Sequence, residues 1–161
     1  QNHYKCWVYV IRFRDDFSAD ARKNYERLKE EFPASINEVA AGDDLPSEKQ
    51  HSFAVAIDAI LGTGVSSKTS PLVDSSIDYI NTRFSRIISI DLPSGLLPDG
   101  EQKGQKIITS SLTLTFQFPK LAFLLPGNAS HVKKPPAGHD QLAPSGISRS
   151  NAANIVAARS A

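Results

Sequence analysis

Scarcities in the chain narrow its function first. Among 161 residues there is one cysteine, Cys6, and no methionine. A single thiol excludes an intramolecular disulfide and any metal site built from several cysteines, and it suits a reducing, cytoplasmic setting. In a strand, Cys6 reads as a small buried hydrophobe rather than a nucleophile. The four histidines (His3, His51, His131 and His139) are scattered, without an H-E-x-x-H, so zinc-ligand spacing is missing and each reads as a surface residue. Charge of one sign is also missing: 18 Lys and Arg oppose 17 Asp and Glu, leaving a net charge of +1. A phosphate-backbone binder concentrates positive charge, so nucleic acid is not favoured. No apolar run approaches the roughly 20 residues of a membrane span, and the N-terminus lacks the layout of a secretory leader. Without Met at position 1, the sequence is expected to be a processed chain or a fragment.

The letters that are present suit one domain, with 40% hydrophobic residues supplying its core. Tyr4 to Phe13 is a β-rich apolar run that suits a strand covered on both faces. Ser18 can cap a helix whose apolar face recurs at Ala21, Tyr25, Leu28 and Phe32, and Pro33 stops it. A short strand is expected over 36–39, then a loop with one helical turn to Gln50. Phe53 to Ile57 reads as a buried strand ending in Asp58. Ser70-Pro71 reads as an N-cap with proline at the first helical position, followed by an apolar face of Leu72, Val73, Ser76, Ile77 and Ile80. Ile87 to Ile90 is another buried strand, closed by Asp91-Leu92-Pro93-Ser94-Gly95. Leu112 to Phe118 alternates as a strand with one wet side. Leu121 to Leu125 adds an apolar run before Pro126-Gly127-Asn128. Past His131, proline, serine and glycine replace the apolar runs. No strand is expected there, only a weak helical tendency over 151–159, and the segment reads as mobile. Strand, helix, strand, helix, strand is the order of a parallel α/β sheet.

In such a sheet, ligands bind beyond the carboxyl ends of the strands. Two buried strands end in acids, Asp58 and Asp91, and both lead into glycines that let backbone amides approach an anion. Ser94 lies three residues past Asp91, where its hydroxyl can face the same crevice. Gly62-Thr63-Gly64 forms a turn that leads toward a helix N-terminus. Each feature alone has a plainer reading, as a turn-former, a helix cap or an ordinary turn; together they carry more. The absence of G-x-x-x-x-G-K-[ST] and of G-x-S-x-G argues against a P-loop and a nucleophile elbow. Lys120, directly after Pro119, reads either as a lysine pointing into the crevice or as a surface charge. Lys133 and Lys134 read as a solvated stretch.

DAILGTG at 58–64, DLPSG at 91–95 and TLTFQFPKLAFLLPGN at 113–128 together resemble the YjeF N-terminal domain family, the NAD(P)H-hydrate epimerases. FSADARKNYERL at 17–28 is similar to that family's second helix, and the resemblance runs from about Tyr4 to Val132. It implies a Rossmann-like αβα sandwich with a mostly parallel sheet. The implied activity interconverts the R and S epimers of hydrated NADH or NADPH in nicotinamide nucleotide repair, beside a separate or fused dehydratase. By the family pattern Asp58 and Ser94 hold a potassium ion, whose preference is for oxygen ligands. Gly62, Thr63, Gly64, Val65, Ser66, Ser67, Lys68 and Asp91 contact the substrate. Asp91 is the candidate for acid–base work at the hydrated ring carbon, and Lys120 matches a family lysine in the FPK motif. A homodimer is a further family expectation.

Two departures qualify the resemblance. The family's first strand and its N-N-G-G-D phosphate loop are expected before Tyr4. Residues 133–161 match nothing expected after the PGN segment, which divides the chain into a partial epimerase-like domain over 1–132 and a disordered or aberrant tail over 133–161. On that reading the isolated chain is expected to be marginally stable and weakly active or inactive, since a lost central strand leaves unpaired edges. The alternatives are a non-catalytic nucleotide- or partner-binding module of the same fold, and an unrelated nucleotide-binding α/β domain.

Overall fold

The computed structural model describes residues 5–14, 17–46, 55–62, 69–100, 104–132 and 155–160. Strand β1 spans Lys5–Ile11 and helix α1 spans Ala19–Glu31. Strands β2 (Ile36–Val39) and β3 (Val55–Ala59) precede helix α2 (Pro71–Arg83). Strands β4 (Arg86–Ile90), β5 (Leu112–Leu114) and β6 (Ile155–Ser160) complete the set. Both helices start where the sequence places them. The Ser18 hydroxyl accepts the Ala21 amide and the Ser70 hydroxyl accepts the Val73 amide, with Pro71 just inside α2. Phe32 caps α1 at its end and is exposed rather than packed.

The strands form one sheet in the order β2-β1-β6-β3-β4-β5. β1 pairs with β2 in parallel, as do β3 with β4 and β4 with β5. The chain moves outward to β2 on one side and to β4 and β5 on the other, so strand order reverses between β1 and β3. Right-handed crossovers in opposite directions assign α1 and α2 to opposite faces, the Rossmann-like α/β arrangement. The main core joins Ile11, Val39, Ala56, Ile60 and Ile87 to Val73, Ile77 and Ile80 of α2. These α2 residues are the apolar face read from the sequence.

Four expectations need correction. A strand does exist past His131: β6 runs antiparallel between β1 and β3, pairing Val8 with Ala157 and Asp58 with Val156. The two facing strand edges offer a full set of unpaired amides and carbonyls, and the β-branched pair Ile155-Val156 takes them up, overriding a weak helical tendency. The tail residues 133–154, with Lys133, Lys134 and His139, lie outside the described residues, as do His3 and His51. The alternating run after Ser111 is a strand only to Leu114. Its leucine side is not the buried one, because Leu114 is 48% exposed on the edge strand. Cys6 is exposed, at the start of β1 before the buried Val8 and Val10. His131 is half-buried rather than on the surface, and its Nδ1 is enclosed without a hydrogen-bond partner, so burial holds its pKa below the ordinary value.

Behind the sheet ends, segment 104–109 is locked in place. Asn81 of α2 donates from Nδ2 to the Ile107 carbonyl (2.9 Å) and accepts the Thr109 amide on Oδ1 (2.9 Å). The Ile108 amide donates to the Ser94 carbonyl at 3.0 Å. This clamp fixes the loop that follows β4, and with it the candidate site.

Candidate functional site

The carboxyl ends of β3, β4 and β5 lie side by side, and each delivers part of the site. Two groups of residues form there, one sealed and one open.

The sealed group centres on Asp58, which is wholly buried near the end of β3. Its Oδ1 accepts the Ser94 hydroxyl at 2.5 Å and the Ile60 amide at 3.4 Å. Its Oδ2 accepts the Ser89 hydroxyl and the Ser94 amide, both at 2.8 Å. The Ser94 Oγ in turn accepts the Leu61 amide at 2.9 Å. Burial pushes the Asp58 carboxyl above the ordinary carboxylate range, against four hydrogen bonds that pull it down. The spacing set Ser94 beside Asp91, and only the family resemblance grouped it with Asp58, as a potassium ligand; the structure bonds Ser94 directly to Asp58. The sequence reading missed Ser89, the one polar residue inside the apolar run Ile87-Ile88-Ser89-Ile90, whose position in a buried strand was the available signal. The knot ties the β3 turn at Ile60-Leu61-Gly62 to the β4 turn at Ser94-Gly95.

Asp58 and Ser94 are also the residues the family resemblance implies for potassium. An ionised carboxylate has about four lone-pair positions, and four donors already fill them here. Among the described residues no group of three or more His, Cys, Asp or Glu side chains could hold a metal ion. As arranged, the knot does not fit a cation.

The open group centres on Asp91, one residue past β4. Its carboxylate Oδ1 stands 3.0 Å from the Lys120 ammonium and also accepts the Phe116 amide at 3.3 Å. The Lys120 ammonium donates to the carbonyls of Phe116 (3.0 Å) and Phe118 (3.4 Å). The Asp91 and Lys120 side chains are 18% and 20% exposed, so most of the pair is shielded and a part of each side chain meets solvent. Lys120 is not a free surface charge, because its ammonium is held on Asp91 and on two backbone carbonyls. Phe116, which the sequence reading passed over, holds both partners through its backbone.

Two backbone irregularities shape this pair. Asp91 has φ +69°, and the Leu92 amide donates to the Ile90 carbonyl across it at 2.9 Å. Gln117 has φ +63°, and the Phe118 amide donates to the Phe116 carbonyl across it at 2.8 Å. Each is a three-residue γ-turn of the rarer hand, a conformation that costs a non-glycine residue roughly 1–3 kcal/mol and persists only where its surroundings enforce it. β5 ends at Leu114, where its partner β4 turns away at Asp91, and the Gln117 turn follows three residues later.

Of the residues expected to contact substrate, Gly62 and Asp91 sit together at this end of the sheet. Thr63, Gly64, Val65, Ser66, Ser67 and Lys68 lie outside the described residues.

A profile of the family described as YjeF-related protein N-terminus matches residues 1–122. Among curated relatives, the bifunctional NAD(P)H-hydrate repair enzyme Nnr of Thermofilum pendens is 31% identical over 119 residues, 73% of this chain and 22% of that protein. The enzyme of the same name from Moorella thermoacetica is 34% identical over 124 residues, 76% of this chain and 23% of its own length. The NAD(P)H-hydrate epimerase of Oenococcus oeni is 25% identical over 120 residues, 73% of this chain and 52% of that protein. The chain thus spans between about a fifth and a half of the length of these three relatives.

Proposed function

The chain belongs to the YjeF-related protein N-terminus family, and from that premise we propose that it is the catalytic domain of an NAD(P)H-hydrate epimerase. The observation that carries this reading is the Asp91–Lys120 pair, a carboxylate and an ammonium 3.0 Å apart at adjoining strand ends. Relatives named for NAD(P)H-hydrate repair supply the substrate class.

The chemistry follows from the substrate. The hydrated ring carbon bears both a hydroxyl and the ring nitrogen, so breaking its bond to nitrogen opens the ring to an aldehyde. Asp91 accepts the hydroxyl proton as the carbon–nitrogen bond breaks, and Lys120 gives a proton to the departing nitrogen. Rotation about the adjacent bond presents the other face of the carbonyl. Reclosure returns the proton from nitrogen to Lys120 and a proton from Asp91 to oxygen, so the two residues end as they began. A proton donor and acceptor held side by side suit such a reversible transfer, because neither must diffuse in. Gly62 and the residues to Lys68 are the proposed contacts to the substrate nucleotide. Potassium, which the resemblance implies at Asp58 and Ser94, takes no part in these steps. A dehydratase specific for one epimer is the natural partner, and a homodimer is the proposed assembly. The proposed compartment is the cytoplasm; among the described residues no helix is long and apolar enough to cross a membrane.

The test is to incubate one pure epimer of hydrated NADH with the protein carrying this domain and follow the other by chromatography. The second epimer is expected to reach its equilibrium share well ahead of the spontaneous rate in buffer. A rate equal to the buffer control removes the enzyme reading and leaves the non-catalytic binding module.

A further inference from the structure

Asp91 and Gln117 are 26 positions apart in the sequence and occupy equivalent backbone states, each the centre of a γ-turn with positive φ. The two turns are bonded to each other. The Asp91 amide donates to the Leu114 carbonyl at 2.7 Å, continuing the β4–β5 pairing by one step, and the Asp91 carboxylate accepts the Phe116 amide at 3.3 Å. The Phe116 carbonyl is then the meeting point, taking the Phe118 amide across the second turn and the Lys120 ammonium at 3.0 Å.

This arrangement has a geometric logic. Were Gln117 extended, the chain would run on as the alternation Leu112 to Phe118 predicts, carrying Lys120 away along the strand direction at about 3.3 Å per residue. The reversal at Gln117 turns the chain back, and Pro119 restricts Phe118 to an extended conformation, which leads directly into Lys120. Both Phe116 and Phe118 carbonyls then face the Lys120 ammonium.

We propose that Gln117 is a positioning residue whose γ-turn holds the Lys120 ammonium on the Asp91 carboxylate. The proposal rests on the reading of Asp91 and Lys120 as the proton-transfer pair only for its consequence in catalysis; the positioning itself stands on the backbone. The residue acts through its φ angle, so the substitutions that matter are those that change tolerance of positive φ. Glycine and asparagine accept it, whereas a β-branched valine resists it strongly.

The test reads Lys120 directly. Trace acylation with acetic anhydride, mapped by mass spectrometry, reports how freely each lysine amine is available, and Lys23 on the exposed side of α1 serves as the internal reference. In the unchanged chain Lys120 is expected to react about tenfold more slowly than Lys23, the effect of a charge-assisted bond to a carboxylate. Gln117→Val is expected to bring Lys120 up to the Lys23 rate with Lys23 itself unchanged, whereas Gln117→Gly and Gln117→Asn keep Lys120 protected. In the epimerisation assay, Gln117→Val is expected to lower kcat and leave KM near its original value. Should Gln117→Val fail to fold by circular dichroism, Gln117→Ala takes its place with the same expectation. Equal acylation of Lys120 and Lys23 in the unchanged chain overturns the proposal, and so does continued protection of Lys120 in the valine variant. Lys120 protection that follows the φ preference, in a protein that does not interconvert epimers, overturns the epimerase reading alone.

Discussion

Replacing Asp91 with asparagine is expected to slow epimerisation about 100-fold or more while leaving nucleotide affinity nearly unchanged, the size of effect usual for a lost general acid–base group. The substitution is a sharp one because it preserves nearly everything else. Asparagine tolerates positive φ better than most residues, so the γ-turn across position 91 survives. Its carbonyl oxygen still accepts the Phe116 amide and the Lys120 ammonium. What is gone is the negative charge that faces the Lys120 ammonium, and with it the capacity to take up a proton. Steady-state kinetics in the protein carrying this domain give the answer: a fall in kcat with KM retained is expected, and a loss of only a few-fold means that the proton moves elsewhere.

Gly95→Ala is expected to destabilise the fold by about 3 kcal/mol or more, at the upper end of single-substitution effects. Gly95 has φ +90°, and a Cβ built there falls 2.0 Å from the Lys106 carbonyl oxygen and 3.2 Å from the Ile107 Cα. Those atoms are main chain and cannot swing aside. The Ser94 carbonyl accepts the Ile108 amide, and Asn81 grips Ile107 and Thr109 from α2. Relief therefore requires segment 92–96 to part from segment 106–108. That movement pulls Ser94 from Asp58 and leaves a buried carboxylate short of two of its four donors. Urea denaturation followed by circular dichroism measures the loss. A midpoint within error of the unchanged chain would show that the two segments are not held as described.

How much of this could be read in the letters depended on whether the controlling interaction was local. The start and apolar face of the helix at 71–83 were legible, because its cap, its first-turn proline and its apolar spacing all lie between Ser70 and Ile80 and agree. Asp58, Ser94 and Asp91 were legible as strand-end residues. That Asp58 and Ser94 share two hydrogen bonds across 36 positions was not, since sequence carries no direct record of distance. Ser89 offered a signal in its polar side chain among isoleucines, and its meaning depended on the neighbouring strand. Two failures share a cause. The alternation from Leu112 to Phe118 satisfies the strand period, but the Asp91 carboxylate captures the Phe116 amide and the chain reverses at Gln117. The residues Ile155 to Ser160 carry little strand signal of their own and become β6 because two strand edges await a partner. In both cases a non-local backbone partner outweighed local preference.

The most direct measurement is an amide NMR titration of the chain with NADP⁺, a stable stand-in for the hydrated nucleotide. If the carboxyl ends of β3, β4 and β5 form the nucleotide site, the amides of Gly62, Asp91, Gly95 and Phe116 shift together along one binding curve, while that of Gly42 stays in place. Shifts confined to other parts of the sheet, or a spectrum that does not move at saturating nucleotide, would contradict the assignment of this site.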